Sequence, residues 1–409
     1  AQGMSDRRLV LEAYRRTGLG FLDDVDGDFA FVIWDDTEQR AIAVRDRFGA
    51  KPLFLERTPT GIRFASEPKQ LAATSNRVLK PNDRSIAEHL TRRYAESRFT
   101  FFDGIERVPP STALVCDPTS EHETRYWNPR PDTVPPYLGS DAAEGLRERL
   151  VDAVRRRLRG SDTAVAQLSG GHDSTSVTAA AHPLADRGLL TTNLHTASAV
   201  FPGDPNDESR WITEIAARQP FPHHDFVPNP ETIDRFEADM WESDTPRPAP
   251  IDGIWADTIQ IAQESGADLV LTGDGGDEVL DEFRLLADLL RSGRLIRWGR
   301  GVQDTASWTR RPVARVGLSS IRGALPAKLR QSIRRVLPTS EAAGESLTSR
   351  NLQQHLATKP MHSEPFDDPF PSLTQNLVIS YVRSGRLVQI LEYEEQRYAR
   401  GGLDVSHPF

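Results

Sequence analysis

One cysteine, three methionines and five lysines in 409 residues are the first absences to weigh. The single thiol, Cys116, excludes a disulfide-stapled fold. No run of about eighteen apolar residues occurs, so no helical membrane span is expected, and the first residues carry no signal-peptide pattern. The plain expectation is a soluble cytoplasmic protein. With lysine restricted to Lys51, Lys69, Lys80, Lys328 and Lys359, nearly all positive charge is arginine, against a net charge of −9. Metal-ligand spacing is missing too. His223-His224-Asp225 has no third or fourth ligand at a suitable interval and reads as a strand or loop. G-x-x-x-x-G-K-[ST] is absent, which excludes the commonest phosphate loop.

A different anion-binding turn is present. Thr163–Gln167 with Leu168 is short and apolar, as a buried parallel strand should be. It runs into Ser169-Gly170-Gly171-His172-Asp173-Ser174, and Ser176–Ala181 can open a helix. The glycines admit close approach of an anion to the backbone. The Ser169 and Ser174 hydroxyls add donors, and the helix N-terminus adds a positive dipole end. Asp173 would repel phosphate unless a cation lay between them. That combination points to Mg²⁺-bound pyrophosphate, hence to ATP cleaved between its α- and β-phosphates, and S-G-G-x-D-S resembles the pyrophosphate loop of ATP pyrophosphatases.

A second apolar strand, Asp268–Leu271 with Thr272, runs into Gly273-Asp274-Gly275-Gly276-Asp277-Glu278. Three glycines and three acids after a strand suit a divalent metal and a nucleotide edge, although a solvated acidic loop has the same composition. Asp277 would complete a Mg²⁺ site with Asp173 if the two strands are neighbours. Asp274 is left for another task, such as a base near the acyl centre.

Together these two motifs resemble the asparagine synthetase superfamily. Phe21–Asp35, Ala43–Leu53 (Ala-Val-Arg-Asp-Arg-Phe-Gly-Ala-Lys-Pro-Leu) and Phe64–Lys69 are similar to that family's glutaminase core, and Gly402-Leu-Asp-Val and Pro408-Phe409 match near the end. The resemblance implies that Leu168, Ser169, Gly170, Gly171, Asp173, Ser174, Thr272 and Gly273 bind ATP. It implies Mg²⁺ on Asp173 and Asp277. It also implies a β-rich, Ntn-type glutaminase-like domain over 1–130, then a parallel, doubly wound α/β ATP-pyrophosphatase domain with a helical C-terminal part over 140–409.

Two departures matter. The family's glutaminase begins with a nucleophilic cysteine, whereas this sequence opens Ala1-Gln2-Gly3, and Cys116 reads as a buried structural thiol. The expected catalytic lysine belongs beyond the Pro-Phe, and none of the five lysines stands in the expected place. Members without a working glutaminase include β-lactam and carbapenam synthetases and the macrolactam synthetases of lasso peptides, which use an amine already in the substrate. Glu392 and Glu395, three apart on one helix face, are candidates to accept that amine's proton, with Tyr381, Tyr393 or Tyr398 assisting; a salt-bridged face explains the same pair.

Layout agrees with two domains. Candidate strands Ala30–Trp34, Ala41–Arg45, Leu53–Glu56, Ile62–Ala65 and Thr112–Cys116 precede a proline-rich linker, Pro129–Pro136. Helices over Asp141–Arg159, Asp207–Ala217 and Ile254–Glu264 then alternate with strands, including Leu190–Ala199, which calls for a parallel sheet. Arg291–Arg335 reverses the local charge, with Asp304 its one acid. It suits a solvated helical pair or a docking surface for an acidic peptide or carrier; nucleic acid fits poorly with the overall charge. Ser340–Pro365 reads as a mobile loop.

The resemblance is strongest to a lasso-peptide macrolactam synthetase. It implies adenylation of an Asp or Glu side chain of a ribosomal precursor peptide, followed by attack of the peptide's N-terminal amine. Partners of that class are the precursor peptide, a leader-binding protein and a leader peptidase. The alternatives are a β-lactam-type synthetase with a small substrate, a glutamine-independent asparagine synthetase-like enzyme, and an inactive binding module.

Overall fold

The computed structural model describes residues 4–75, 78–91, 96–128, 140–205, 207–228, 243–246, 252–277, 285–325, 373–382 and 384–409. The linker Pro129–Pro136, Glu278 and the loop Ser340–Pro365 lie outside them.

The first half is built on alternation. β1 (Ala30–Asp35), β2 (Arg40–Arg45), β6 (Thr112–Cys116) and β7 (Glu121–Arg125) form an antiparallel sheet in the order β1-β2-β6-β7. A second antiparallel sheet has the order β4-β3-β5, from β3 (Phe54–Thr58), β4 (Gly61–Ala65) and β5 (Ile105–Arg107). The period-2 pattern of β2 and β6 decides which residues face which core. Ile42, Val44 and Ala113 join Phe21 and Leu22 on one side, while Ala43, Leu114 and Cys116 join Leu53 and Leu55 on the other.

Cys116 is 8% exposed, and burial pushes its thiol up to about 11. Almost none of it is thiolate at neutral pH, and the thiol is a poor nucleophile. Cys116→Ala is therefore expected to leave catalysis unchanged. Equal ATP–pyrophosphate exchange by variant and parent checks this.

The second half is a five-stranded, all-parallel sheet in the order β10-β9-β8-β11-β12. Its strands are β8 (Thr163–Gln167), β9 (Asn193–Ala199), β10 (His223–Phe226), β11 (Leu269–Leu271) and β12 (Asp404–Ser406). His223-His224-Asp225, read from sequence as a strand or loop, begins the edge strand β10. Both sheet faces are covered, as parallel strands require. Ala164, Ala166, Leu269 and Leu271 pack with Val154 of the helix Ser140–Arg157, with Leu158 just after it, and with Val177, Ala181 and Leu184 of the helix His172–Asp186. Val165, Val270 and Val405 face the opposite way, onto Ala262 of the helix Asp252–Glu264 and Tyr398 of the C-terminal helix Gly385–Arg400. The fold is thus a β-rich amidotransferase-like half followed by a parallel α/β half.

The two halves are bolted together by buried charge. Glu392 on the C-terminal helix is fully buried; its carboxylate accepts from Arg45 at 3.0 Å and from Arg107 at 2.7 Å. Arg45 also donates to the carbonyls of Lys51, Val108 and Gly49, so its guanidinium makes four hydrogen bonds in all. The neighbouring Asp46 accepts four backbone N–H groups, those of Phe48, Gly49, Ala50 and Lys51, which fixes the loop that presents Arg45. One helix turn further on, Glu395 pairs with Lys51 at 2.6 Å.

Candidate functional site at the C-terminal edge of the parallel sheet

Three neighbouring strands, β8, β11 and β12, end on the same edge because they are parallel. Each delivers functional groups there: β8 the Leu168–Ser174 turn, β11 the Thr272–Asp277 turn, and β12 His407. Ligands of open α/β sheets bind outside this edge.

The first turn is organised around two hydroxyls. Leu168 continues the ladder, its N–H donating to the Ala197 carbonyl at 2.8 Å. The Ser169 N–H donates to Ser174 Oγ at 2.9 Å, and the two serine hydroxyls lie 2.9 Å apart. Gly170 turns the chain with φ +82°, which a side chain would strain. Gly171 caps the helix His172–Asp186. The first N–H groups of that helix lack intrahelical partners and can serve an anion.

The second turn presses directly on the first. A Cβ at Gly273 would come within 2.7 Å of the Ser174 backbone nitrogen, and one at Gly276 would overlap the Asp173 carboxylate. The two motifs are thus one structure, and these glycines are there for contact between loops. Asp173 is half-buried and Asp277 exposed, on adjoining loops of neighbouring strands. This donor set fits a Mg²⁺–triphosphate: hydroxyls and helix N–H groups for phosphate oxygens, and carboxylates for a hard cation.

Behind the second turn lies a group that sequence reading did not reach. Asp274, Glu394 and His407 gather with one ligand atom of each within 4.8 Å of the others. Glu394 is 2% exposed and hydrogen-bonded to Asp274 and Trp255. Its Oε2 has no hydrogen-bond partner and stands 3.7 Å from His407 Nε2. Burial, then the facing charge of Asp274, hold the Glu394 carboxyl well above the usual carboxylate range. Burial lowers the basicity of His407, whose Nδ1 lies 2.7 Å from the Thr272 hydroxyl. Tyr398, fully buried, accepts from Gln167 at the end of β8 at 2.8 Å. Its phenol is raised well above its ordinary value by burial, then by Glu394 and Asp274.

The structure therefore redistributes the expected acyl-centre residues. Asp274 is at the edge, as its place in the turn implies. Glu392 and Glu395 do share a helix face, but that face is turned to Arg45, Arg107 and Lys51. Glu394, between them in sequence, points the other way. Tyr381 lies half-buried on the preceding helix, Leu373–Val382, and its carbonyl accepts from Ser384. Tyr393 is fully buried, edge-on to Trp255 at 5.5 Å between ring centres.

Glu392→Gln is expected to lower stability by about 3–5 kcal/mol, because two buried guanidinium groups lose their counter-charge. Chemical denaturation reads the loss, and exchange activity per folded molecule should stay near that of the parent.

Comparison with known proteins agrees with this fold. Residues 1–127 match the glutamine amidotransferase domain family, and residues 145–392 match asparagine synthase. The chain belongs to the asparagine synthase family. Among curated relatives, Amidase chry2 of Gibberella zeae is 32% identical over 293 residues, covering 68% of this chain and 43% of that protein. Amidase chyE of Penicillium rubens is 32% identical, covering 70% and 44%. Asparagine synthetase [glutamine-hydrolyzing] 3 of Bacillus subtilis is 27% identical, covering 68% and 47%. The chain spans under half the length of these three relatives. Family membership carries the fold. Among the described residues, no helix is long and apolar enough to cross a membrane.

Proposed function

We propose that the chain is an ATP-dependent amide ligase, forming AMP and pyrophosphate, that activates a side-chain carboxyl of a peptide and closes a macrolactam with the peptide's own amine. The observation that carries the chemistry is the apposition of an anion-binding turn, Ser169–Ser174, to an acid–base group, exposed Asp274 with buried Glu394 and half-buried His407, on one sheet edge. An adenylating amide synthetase needs both: donors for the leaving pyrophosphate, and an acceptor for the proton of the attacking amine.

In this reading Ser169, Ser174 and the N-terminus of the helix His172–Asp186 hold phosphate oxygens, with Leu168, Gly170, Gly171, Thr272 and Gly273 shaping the cradle. Asp173 and Asp277 hold Mg²⁺, which supplies charge neutralisation at the phosphates. The carboxyl attacks the α-phosphorus, and pyrophosphate leaves. Burial, then the facing Asp274, push the Glu394 carboxyl toward its protonated form. Asp274, the exposed member, takes the proton as the amine adds to the acyl carbon and AMP departs. Thr272 fixes the His407 ring behind the pair. Holding both reacting ends of one molecule at this edge would supply effective concentration.

A peptide substrate is favoured by the arginine-rich helices of residues 285–325 and by the long helical part of the second half; a precursor peptide with its leader-binding protein and leader peptidase would be the partners. The test is ATP–pyrophosphate exchange with a candidate precursor peptide, followed by mass spectrometry for loss of one water from the peptide. Peptide-stimulated exchange with a dehydrated, unthreadable or threaded ring is the expected result. Exchange stimulated by a β-amino acid-type small substrate, and not by peptide, would move the reading to a β-lactam-type synthetase. No exchange with any carboxylate would leave a binding module.

A further inference from the structure

Residues 285–325 form a small three-helix unit from Leu285–Arg291, Leu295–Trp308 and Val313–Ala324. It has its own core of Leu286, Val302, Ala306 and Val316, and Trp298 donates across it to Ser320 Oγ at 2.9 Å. Its outer surface is unlike the rest of the chain in two respects. Eight arginines from Arg291 to Arg322 are all exposed, and among the described residues none of them makes an ion pair, although the chain as a whole is acidic at −9. The unit offers two aspartates, Asp288 and Asp304, against those eight. Six of the seventeen exposed large hydrophobic side chains also lie here, among them Ile296 at 77% and Leu318 at 62%.

The two features coincide on helix faces. On the helix Val313–Ala324, Val316, Gly317 and Ser320 point into the unit. Arg315, Leu318 and Arg322 follow at intervals of three and four on the outward side, with Ile321 beside them. On the helix Leu295–Trp308, Ile296 and Arg300 stand four apart in the same way. Solvated arginines alone do not call for apolar neighbours on the same stripe, and scattered apolar residues do not call for a charge reversal.

We infer that this face docks an acidic polypeptide segment that also carries apolar side chains. Charge complementarity selects the sign of the partner. The use of arginine throughout, with no lysine in 285–325, favours carboxylates, which a guanidinium can grip with two parallel hydrogen bonds. A bilayer is a poorer match: the apolar stripe of Leu318 and Ile321 is narrow and flanked by arginines, and no described aromatic side chain of the unit is exposed. The inference rests on the same helices that favour a peptide substrate, and direct peptide binding tests it apart from ring closure.

The experiment measures binding of a labelled peptide of alternating glutamate and leucine blocks to the full chain, in a salt series. Three double variants are compared: Arg315→Glu with Arg322→Glu, Arg297→Glu with Arg300→Glu, and Leu318→Ser with Ile321→Ser. Binding should weaken as salt screens the contacts over roughly 8 Å. It should fall by about tenfold or more in the Arg315/Arg322 and Leu318/Ile321 variants, while exchange activity and unfolding midpoint stay at the parent's values. The Arg297/Arg300 variant reads the second helix and keeps the test valid if either of the others fails to fold. Unchanged peptide affinity in the folded variants overturns the inference. So does capture by phosphatidylserine vesicles without peptide binding, or salt-sensitive self-association abolished by the same variants, which would make a second copy the occupant.

Discussion

Asp173→Asn and Asp277→Asn should each remove most ATP–pyrophosphate exchange, by roughly a hundred- to a thousandfold, with the fold intact. The magnitude follows from the charge stabilisation a phosphate-bound cation provides, several kcal/mol, at about 1.4 kcal/mol per decade of rate. Asparagine keeps the shape of the carboxylate. That matters at position 173, where the Gly276 backbone lies against the side chain and would leave no room for a larger one. The loss should therefore appear in catalysis and not in the unfolding midpoint. Near-parental exchange by both variants would show that neither acid holds the metal.

The second large effect separates the two chemical steps. Asp274→Asn and Glu394→Gln should leave pyrophosphate exchange within a few-fold of the parent but depress amide formation by about 10²–10⁴, the range for a positioned general base. The activated carboxyl would then be lost to water, seen as AMP released without ring product. Glu392→Gln, two residues away, should show no such split, since its carboxylate is committed to Arg45 and Arg107. If Glu394→Gln and Glu392→Gln behaved alike, the assignment of Glu394 to the amine step would be lost.

These neighbouring glutamates also show where sequence reasoning stopped. Spacing correctly puts Glu392 and Glu395 on one helix face. It says nothing about which body that face meets, because a helix flanked by two domains has polar neighbours on both sides. The deciding residues, Arg45, Arg107 and Lys51, lie more than 280 positions away in sequence. Glu394 reads as one acid in a run, and only its burial beside Asp274 distinguishes it. His407 was hidden for a related reason: β12 is three residues long, too short for a periodic signal, so nothing marked His407 as the end of a strand.

Elsewhere the pattern was legible. Strands β1, β2, β4 and β6 fall within a residue or so of the boundaries that alternation implies, and β3 begins one residue later. β5 and β7 went unseen, since one has three residues and the other is exposed along its whole length. The first phosphate-type turn was readable because glycine, hydroxyl and acid occur in a fixed order after an apolar strand. Contact between the two turns was not, because it depends on β8 and β11 being adjacent.

The C-terminal helix has a wider consequence. One side of it grips the β-rich half through Glu392, and the other supplies Glu394 to the sheet edge. Those two residues are separated by a single intervening position on a rigid rod. The β-rich half therefore acts as a splint for the reactive edge, whatever chemistry of its own it does or does not perform. Excising it would strand Glu392 without its counter-ions and release the rod that aims Glu394. A swap with a relative should therefore carry Arg45, Arg107 and the C-terminal helix together, with the seam placed elsewhere in the chain.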